Sequence, residues 1–138
     1  MVHSAGATVA AADATTLTHL LLPMTIHFGW TSAATLVNLN GSLASTESAS
    51  PRALIGLGNT SALAASALGV GLTLSQSAPA YGLTLAWALA ACADGMSKRI
   101  PSSIAGEEEI LAKGSVVQKN LCWAGSFACA VAAASVLL

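Results

Sequence analysis

Long stretches without charge divide this sequence into apolar segments. No Asp, Glu, Lys or Arg occurs between Asp13 and Glu47, between Arg52 and Asp94, or after Lys119. A helix needs about 20 apolar residues to cross the roughly 30 Å hydrocarbon core of a bilayer. The sequence therefore predicts an all-α bundle of four transmembrane helices over about 17–38, 53–74, 79–96 and 116–138. The third segment is the shortest, and the prediction becomes three spans if that segment does not cross.

The segments outside these spans are short. Residues 1–16 are rich in small residues and are expected to form a flexible N-terminal segment, and residues 17–138 are expected to form one transmembrane domain. Pro79, after the polar turn at 75–78, fits the first turn of a helix. A short helix over about 103–113, ending at Gly114, is expected to lie at the membrane surface.

Composition supports a membrane protein over a soluble one. Hydrophobic residues make up 54% of the chain and charged residues 8%, and the mean hydropathy is +0.70, whereas a soluble domain carries about a quarter charged residues. The net charge of −1 excludes a basic surface for nucleic acid. The alternative, a soluble helical bundle, needs a polar face on each helix. Alanine dominates and alternation is absent, which disfavours strands.

The basic residues predict the orientation of the bundle. With four spans, the loops over 41–52 and 97–119 lie on one side, and both termini and the turn at 75–78 lie on the other. All five Lys and Arg residues fall in or beside the first pair of loops. The positive-inside rule places those loops on the cytoplasmic side or its equivalent, such as the stroma.

The second span carries small residues at helical spacing. Gly58, Ala62, Ser66 and Gly69 recur three or four residues apart and predict one face for close helix packing. The alternatives are packing within this chain alone, or a face that receives another subunit, a lipid or a flat ligand.

Motifs for catalysis are missing. The chain has no Gly-rich phosphate loop, no H-E-x-x-H pattern and no C-x-x-C pair. Cys92, Cys122 and Cys129 are scattered through apolar segments and are interpreted as small core residues rather than metal ligands or disulfides. We therefore expect a protein that is not an enzyme and has no metal site built from protein groups alone.

Polar and aromatic groups in the first span are the candidates for ligand binding. His27 lies near the middle of that span, His19 near its start and Asn38 near its far end, and such groups are costly in lipid. His27 has three alternatives: a hydrogen bond to a neighbouring helix, a proton path, or axial ligation of a metal such as the magnesium of chlorophyll or a haem iron. A proton path needs further titratable side chains at the same depth in the membrane, and the sequence offers none there.

The large aromatic residues divide into two groups. Tyr81 and Trp123 lie near predicted helix ends and fit an interfacial belt. Trp30 and Trp87 lie deeper within their spans, which makes them candidates for packing or for contact with a ligand.

Part of the chain resembles a known family. The stretch W-x3-A-T-x2-N, followed by Tyr-Gly-Leu and Trp-Ala-Leu segments, resembles the C-terminal helices of algal and cyanobacterial members of the tryptophan-rich sensory or translocator proteins (TspO-like). The matching residues are Pro23, Gly29, Trp30, Ala34, Thr35, Asn38, Tyr81, Gly82, Leu83, Trp87, Ala88 and Leu89. Family members carry further Trp-rich helices before this motif, and those helices build the tetrapyrrole pocket; this sequence lacks them.

The resemblance implies a photosynthetic setting and a link to chlorophyll-like or haem-like molecules. We expect a non-catalytic subunit of a thylakoid supercomplex, of the type that links a photosystem I core to its antenna in an alga and contacts lipids. It would hold chlorophyll or carotenoid, with the basic loops in the chloroplast stroma and both termini in the lumen. The alternatives are a TspO-like tetrapyrrole binder or carrier acting independently, and a small transporter or channel subunit, which the lack of ionisable residues at depth disfavours.

Overall fold

Four helices make up the fold. The computed structural model describes the backbone of residues 3–46, 48–99 and 107–138, and the side chains of 18–46, 48–97 and 109–138. The helices are α1 (His3–Ala44), α2 (Pro51–Gln76), α3 (Pro79–Arg99) and α4 (Glu107–Ser135). No strand occurs in these ranges, so the all-α prediction is confirmed.

The connection between α2 and α3 is tight. Gln76 is the last residue of α2, and Ser77 follows in the left-handed region with φ 50° and ψ 47°. The backbone N–H groups of Ser77 and Ala78 both donate to the carbonyl of Thr73, which satisfies part of the helix end. Pro79 then starts α3, as its place in the sequence predicts.

Helix α1 is longer than the first predicted span. It begins at His3 and runs for 42 residues through Pro23, so most of the segment expected to be flexible is helical. The many alanines between residues 5 and 14 account for this, because alanine has the highest helix propensity. Residues 1–2 lie outside the described part of the chain.

Helix α4 differs from the prediction at its start. No separate surface helix ends at Gly114; α4 runs without a break from Glu107 to Ser135. Gly114 is buried, and a side chain there would overlap that of Ile55 on α2. Gly114 thus provides close helix contact rather than a helix end. Residues 100–106, which include the start of the predicted surface helix, lie outside the described part of the chain.

Helices α2, α3 and α4 form a closely packed group. Helix α4 lies along both α2 and α3 over most of its length. Glycines on one helix face side chains on the next: Gly69 faces Cys129, Gly125 faces Ser66 and Gly82 faces Thr73. The buried hydrophobic core consists of Ala62, Ala65, Tyr81, Leu85, Ala86, Leu89, Ala93, Cys122 and Cys129. Most of these side chains are small, which lets the helix backbones approach closely.

The predicted packing residues of α2 lie toward α4. Gly58 faces Gln118, and Gly69 faces Cys129. Ala62 is buried, and Ser66 is half-buried with its hydroxyl donating to the Ala62 carbonyl. These contacts are within the chain.

Helix α1 lies at the edge of this group. Within the described residues it contacts α2 and α3 but not α4. Asn40 Nδ2 donates to Ser61 Oγ at 2.8 Å, and the Tyr81 hydroxyl donates to Ser32 Oγ at 3.2 Å. Between residues 18 and 44, Gly29 is the one buried residue.

The large apolar side chains point outward. Exposed examples occur on every helix: Leu20, Leu21, Leu22, Met24, Ile26, Phe28, Trp30, Val37 and Leu39 on α1; Leu63, Leu68 and Leu74 on α2; Leu83 and Trp87 on α3; Ile110, Val116, Val117, Trp123, Phe127 and Val131 on α4. Small residues therefore make up most of the interior, beside the larger Tyr81, Leu85 and Leu89, and most bulky apolar residues lie on the surface.

Two helical segments are long and apolar enough to cross a membrane. They are Thr18–Ala44 within α1 and Pro51–Gln76, which is α2. At about 1.5 Å per residue, the 26 residues of α2 extend about 39 Å. This length exceeds the roughly 30 Å of a bilayer hydrocarbon core.

Candidate functional site

The candidate site lies where α1 crosses α3. Gly29 is buried at the crossing, and a Cβ atom there would lie 3.0 Å from the Cβ of Thr84. The missing side chain at Gly29 therefore brings the two helices together. Residues 28 and 30 point to opposite sides of this contact, because successive residues of a helix are about 100° apart.

An aromatic pair flanks the crossing on each side. Phe28 and Tyr81 have ring centroids 5.7 Å apart and ring planes inclined by 33°. Trp30 and Trp87 have centroids 5.7 Å apart and planes inclined by 39°. Both separations lie in the range of favourable aromatic contacts. The crossing thus separates two grooves on the surface of the bundle.

The first groove contains His27. It has a volume of about 630 Å³ and is lined by Pro23, Met24, Thr25, His27, Phe28, Leu72, Gln76, Ala78 and Tyr81. His27 is exposed and forms no hydrogen bond with another described residue. The expected hydrogen bond to a neighbouring helix is therefore not seen within the described part of the chain. The groove offers one imidazole and one amide, while the hydroxyl groups of Thr25 and Tyr81 donate within the chain and the rest of the lining is apolar.

His27 lies close to one end of the bundle. Gln76 and Ala78 of the α2–α3 turn line the same groove, so the imidazole is level with that turn rather than with the middle of the helices. The sequence position alone suggested mid-span because it assumed that α1 starts level with its neighbours. Since α1 begins at His3, its first turns extend past the turn at 77–78.

The second groove contains both tryptophans. It has a volume of about 540 Å³ and is lined by Leu22, Ile26, Trp30, Ala80, Leu83, Thr84 and Trp87. Trp30 is 50% exposed and Trp87 is 61% exposed. Two large indole rings thus meet on the surface, where a flat or extended apolar ligand can contact both.

The remaining predicted site residues lie apart from these grooves. His19 is exposed two turns before His27, and Asn38 is exposed about three turns after it. Neither lines a groove at the crossing. Tyr81, expected in an interfacial belt, is instead 2% exposed, because α1 covers it.

Sequence reasoning missed two features of the crossing. Phe28 and Thr84 were not singled out, although they form one aromatic pair and the contact with Gly29. The Gly-Trp dipeptide beside Phe28 was the available signal, since a glycine between two aromatic residues fits a close helix crossing with a ring on each side.

Charged groups are absent from both groove linings. Within the described part of the chain, an ion pair lies near the start of α4, where Lys113 Nζ is 2.6 Å from Glu109 Oε1. The hydrogen bond and charge of Lys113 hold the pKa of the Glu109 carboxyl below its usual value. No group of three or more His, Cys, Asp or Glu residues that could hold a metal occurs among the described residues.

Comparison with protein-family models, with curated proteins and with solved structures finds no match to this chain. The relation to the tryptophan-rich sensory proteins therefore stays a prediction from the residues that carry it.

Proposed function

We propose that this protein is a non-catalytic, four-span subunit of a photosynthetic membrane supercomplex, and that it holds a pigment at the α1–α3 crossing. The observation that carries the proposal is the arrangement of side chains by size. Most bulky apolar side chains lie on the outside of the bundle, and most of the buried ones are small. A surface of this kind is stable against lipid tails or apolar partners, and large exposed apolar patches mark such contacts.

The hydroxyl groups support a membrane location. Thr25, Ser32, Thr35 and Thr60 donate to the carbonyl four residues earlier, at 2.6–2.9 Å. These side chains satisfy their hydroxyl donor within their own helix. That arrangement suits lipid, where no water replaces a missing hydrogen bond.

The distribution of charge supports one orientation. Arg52 starts α2, Lys98 and Arg99 end α3, and Lys113 and Lys119 lie in the first half of α4. In an antiparallel bundle these segments share one end. By the positive-inside rule that end faces the stroma, and the α2–α3 turn and both chain termini face the lumen.

The exposed side of α1 supports a subunit role. Trp30, Phe28 and Leu22 keep half or more of their surface open while they line or border the grooves. A partner subunit or a pigment that covers these rings would bury more apolar area than the chain buries there by itself.

His27 is the residue proposed to hold the pigment. An imidazole that makes no hydrogen bond with another described residue can ligate the magnesium of a chlorophyll, and the flat ring would then lie over the apolar floor of the first groove. Trp30 and Trp87 are proposed to contact a second flat or extended pigment, such as a carotenoid.

The test is a native separation of the source membranes in mild detergent, with an absorption spectrum of the band that contains this chain. We expect the chain only in a large pigmented band. In the His27→Leu variant that band should lose absorption in the chlorophyll region, whereas the His19→Leu variant should leave it unchanged. A small, colourless species would overturn the proposal.

The alternative is a tetrapyrrole binder that acts independently, related to the TspO-like proteins. The contact between Trp30 and Trp87 favours it, because two exposed indoles form a platform for a planar ring. Titration of the purified chain with protoporphyrin should then quench Trp fluorescence in a saturable manner. Trp30→Leu should abolish saturation, and Trp123→Leu, which changes an exposed tryptophan on α4, should not. Non-saturable quenching would exclude this alternative.

A further inference from the structure

A third cavity lies between the helices, away from the α1–α3 grooves. Its volume is about 430 Å³, within the range of roughly 300–1,000 Å³ typical of ligand pockets. All four helices contribute: Ala33, Leu36, Val37 and Asn40 from α1; Gly58, Ser61, Ala62 and Ala65 from α2; Leu85, Ala88, Leu89, Ala91, Cys92, Gly95 and Met96 from α3; Gln118 and Cys122 from α4.

The cavity is apolar along most of its length and polar at one end. Asn40, Ser61 and Gln118 line the end nearest the start of α2 and α4. The opposite end is lined by Ala33, Ala65 and Leu85. No side chain with a formal charge lines it. A ligand that matches this lining has an uncharged polar head and an apolar tail.

The hydrogen bonds at the polar end specify the head further. Asn40 Nδ2 uses both of its N–H groups, on the Leu36 carbonyl at 2.7 Å and on Ser61 Oγ at 2.8 Å. This leaves Asn40 Oδ1 as an acceptor and the Ser61 hydroxyl as a donor. The Gln118 amide makes no hydrogen bond with another described residue, so it offers both a donor and an acceptor. A hydroxyl head, which donates and accepts, satisfies these groups.

The walls restrict the shape of the tail. Small residues make up most of the lining from α2 and α3, and the space opens to the surface beside Val37 and Ala91, which are exposed. A single slim chain matches an elongated groove with small residues along its walls and polar groups at one end. We propose that this cavity binds a neutral single-chain amphiphile with a hydroxyl head, such as a long-chain alcohol.

This site is independent of the pigment proposed at the crossing. None of His27, Trp30 and Trp87 lines the cavity. The purified chain without pigment is therefore sufficient for its test, and the result neither requires nor excludes membership of a pigmented complex.

The test is photolabelling of the purified full-length chain in phosphatidylcholine nanodiscs with a hexadecanol that carries a diazirine in its tail. We expect labels on residues 33–40 and 85–96, mapped by mass spectrometry. Unlabelled hexadecanol should compete at a concentration at least about tenfold lower than hexadecane, which lacks the head. Labels spread evenly over the outer apolar side chains would overturn the proposal.

Two glycines provide a matched pair of variants. Gly95 lines the cavity and Gly71 lies outside it, and neither has an atom within 4 Å of an added Cβ. Gly95→Leu should reduce labelling at least about tenfold, and Gly71→Leu should leave it unchanged. Ala91→Leu, which fills the cavity from a neighbouring turn, should act like Gly95→Leu. Equal labelling of all three variants and the unmodified chain would contradict binding in this cavity.

A further variant tests recognition of the head. Gln118→Leu should keep the labelled positions but bring the competition by hexadecanol and by hexadecane to about the same concentration. If hexadecanol and hexadecane already compete equally in the unmodified chain, the hydroxyl head is not recognised and the proposal is wrong.

Discussion

Helix α1 and the group formed by α2, α3 and α4 have similar apolar composition but pack in different ways. In the group, glycines and alanines at the contacts let backbones approach, and side chains such as Leu85 and Cys129 are fully buried. In α1 the large residues stay exposed, and contact with the rest is limited to α2 and α3 within the described part of the chain.

This difference indicates separate roles for the two regions. Helices α2, α3 and α4 pack closely against one another through glycine and other small residues. The stability of this group therefore depends on those small residues. Helix α1 leaves aromatic rings and an imidazole accessible, and we propose that these groups contact other molecules. Substitutions that exchange small and large residues should therefore affect stability in the group and ligand or partner contacts on α1.

The largest effect is expected at Gly69, in the three-helix group. A side chain there would overlap the Cys129 sulfur and approach Leu85 Cδ1 to 3.3 Å. Gly69→Val should lower the free energy of unfolding by about 2–3 kcal/mol, because helices α2 and α4 must separate. Gly71→Val, two residues later with open space around it, is the control. Equal midpoints for both variants in SDS unfolding monitored by Trp fluorescence would contradict close packing at Gly69.

A smaller effect is expected at Gly29, which holds α1 on α3. Gly29→Val should cost about 1–2 kcal/mol, because Thr84 has a rotatable side chain and α1 has fewer contacts to lose. The variant should also separate Trp30 from Trp87, which shifts the Trp emission maximum and the near-ultraviolet circular dichroism. Gly41→Val, on the same helix with no atom near an added Cβ, should change neither. An unchanged Trp signal in Gly29→Val would mean that the aromatic pair does not depend on the crossing.

The comparison also shows what the sequence could predict. The uncharged segments located α2 and α3 within a few residues, because Arg52 and Asp94 bound them and the polar turn with Pro79 separates them. The continuous α4 was missed because glycine both ends helices and allows close contact. Gly114 allows close contact rather than ending a helix, and this becomes visible only from the position of Ile55 on α2.

The candidate site was predictable residue by residue but not as an arrangement. His27, Trp30 and Trp87 stood out as polar or aromatic groups in apolar segments. The pairing of Trp30 with Trp87 depends on the position of α1 along the axis of α3. That position is set by the contact of Gly29 with Thr84, which are 55 residues apart in the chain. The cavity formed by all four helices has no local signal, because its walls are ordinary alanines and leucines.

A polar side chain inside the three-helix group gives the next prediction. Thr73 is fully buried, and its Oγ1 has no hydrogen-bond partner among the described residues. Thr73→Val replaces the hydroxyl with a methyl group of similar size, so it should raise the free energy of unfolding by about 1 kcal/mol. Thr60→Val is the control, since the Thr60 hydroxyl is exposed and donates to the Gly56 carbonyl at 2.8 Å. A loss of stability in Thr73→Val would mean that the Thr73 hydroxyl has a partner that stabilises the group.

The smallest effect is expected at the exposed Glu109–Lys113 pair near the start of α4, on the outer surface of the three-helix group. Lys113 lowers the pKa of the Glu109 carboxyl from its ordinary value of 4.5. The folded state therefore favours the ionised carboxylate, and the contribution of the pair to stability is complete above pH 4.5 and is lost as pH falls through the lowered pKa. Because both side chains are more than half exposed, water and salt screen their attraction.

Unfolding curves of the unmodified chain and of Lys113→Met, recorded at decreasing pH in low salt, should converge below the pKa of Glu109 and differ slightly above it. High salt should reduce the difference, whereas it would not do so if the Lys113 side chain acted through apolar packing. Lys119→Met removes a basic residue from the same helix and controls for the change in net charge. A difference between Lys113→Met and the unmodified chain that persists at low pH would show that the pair does not act through the charge of Glu109.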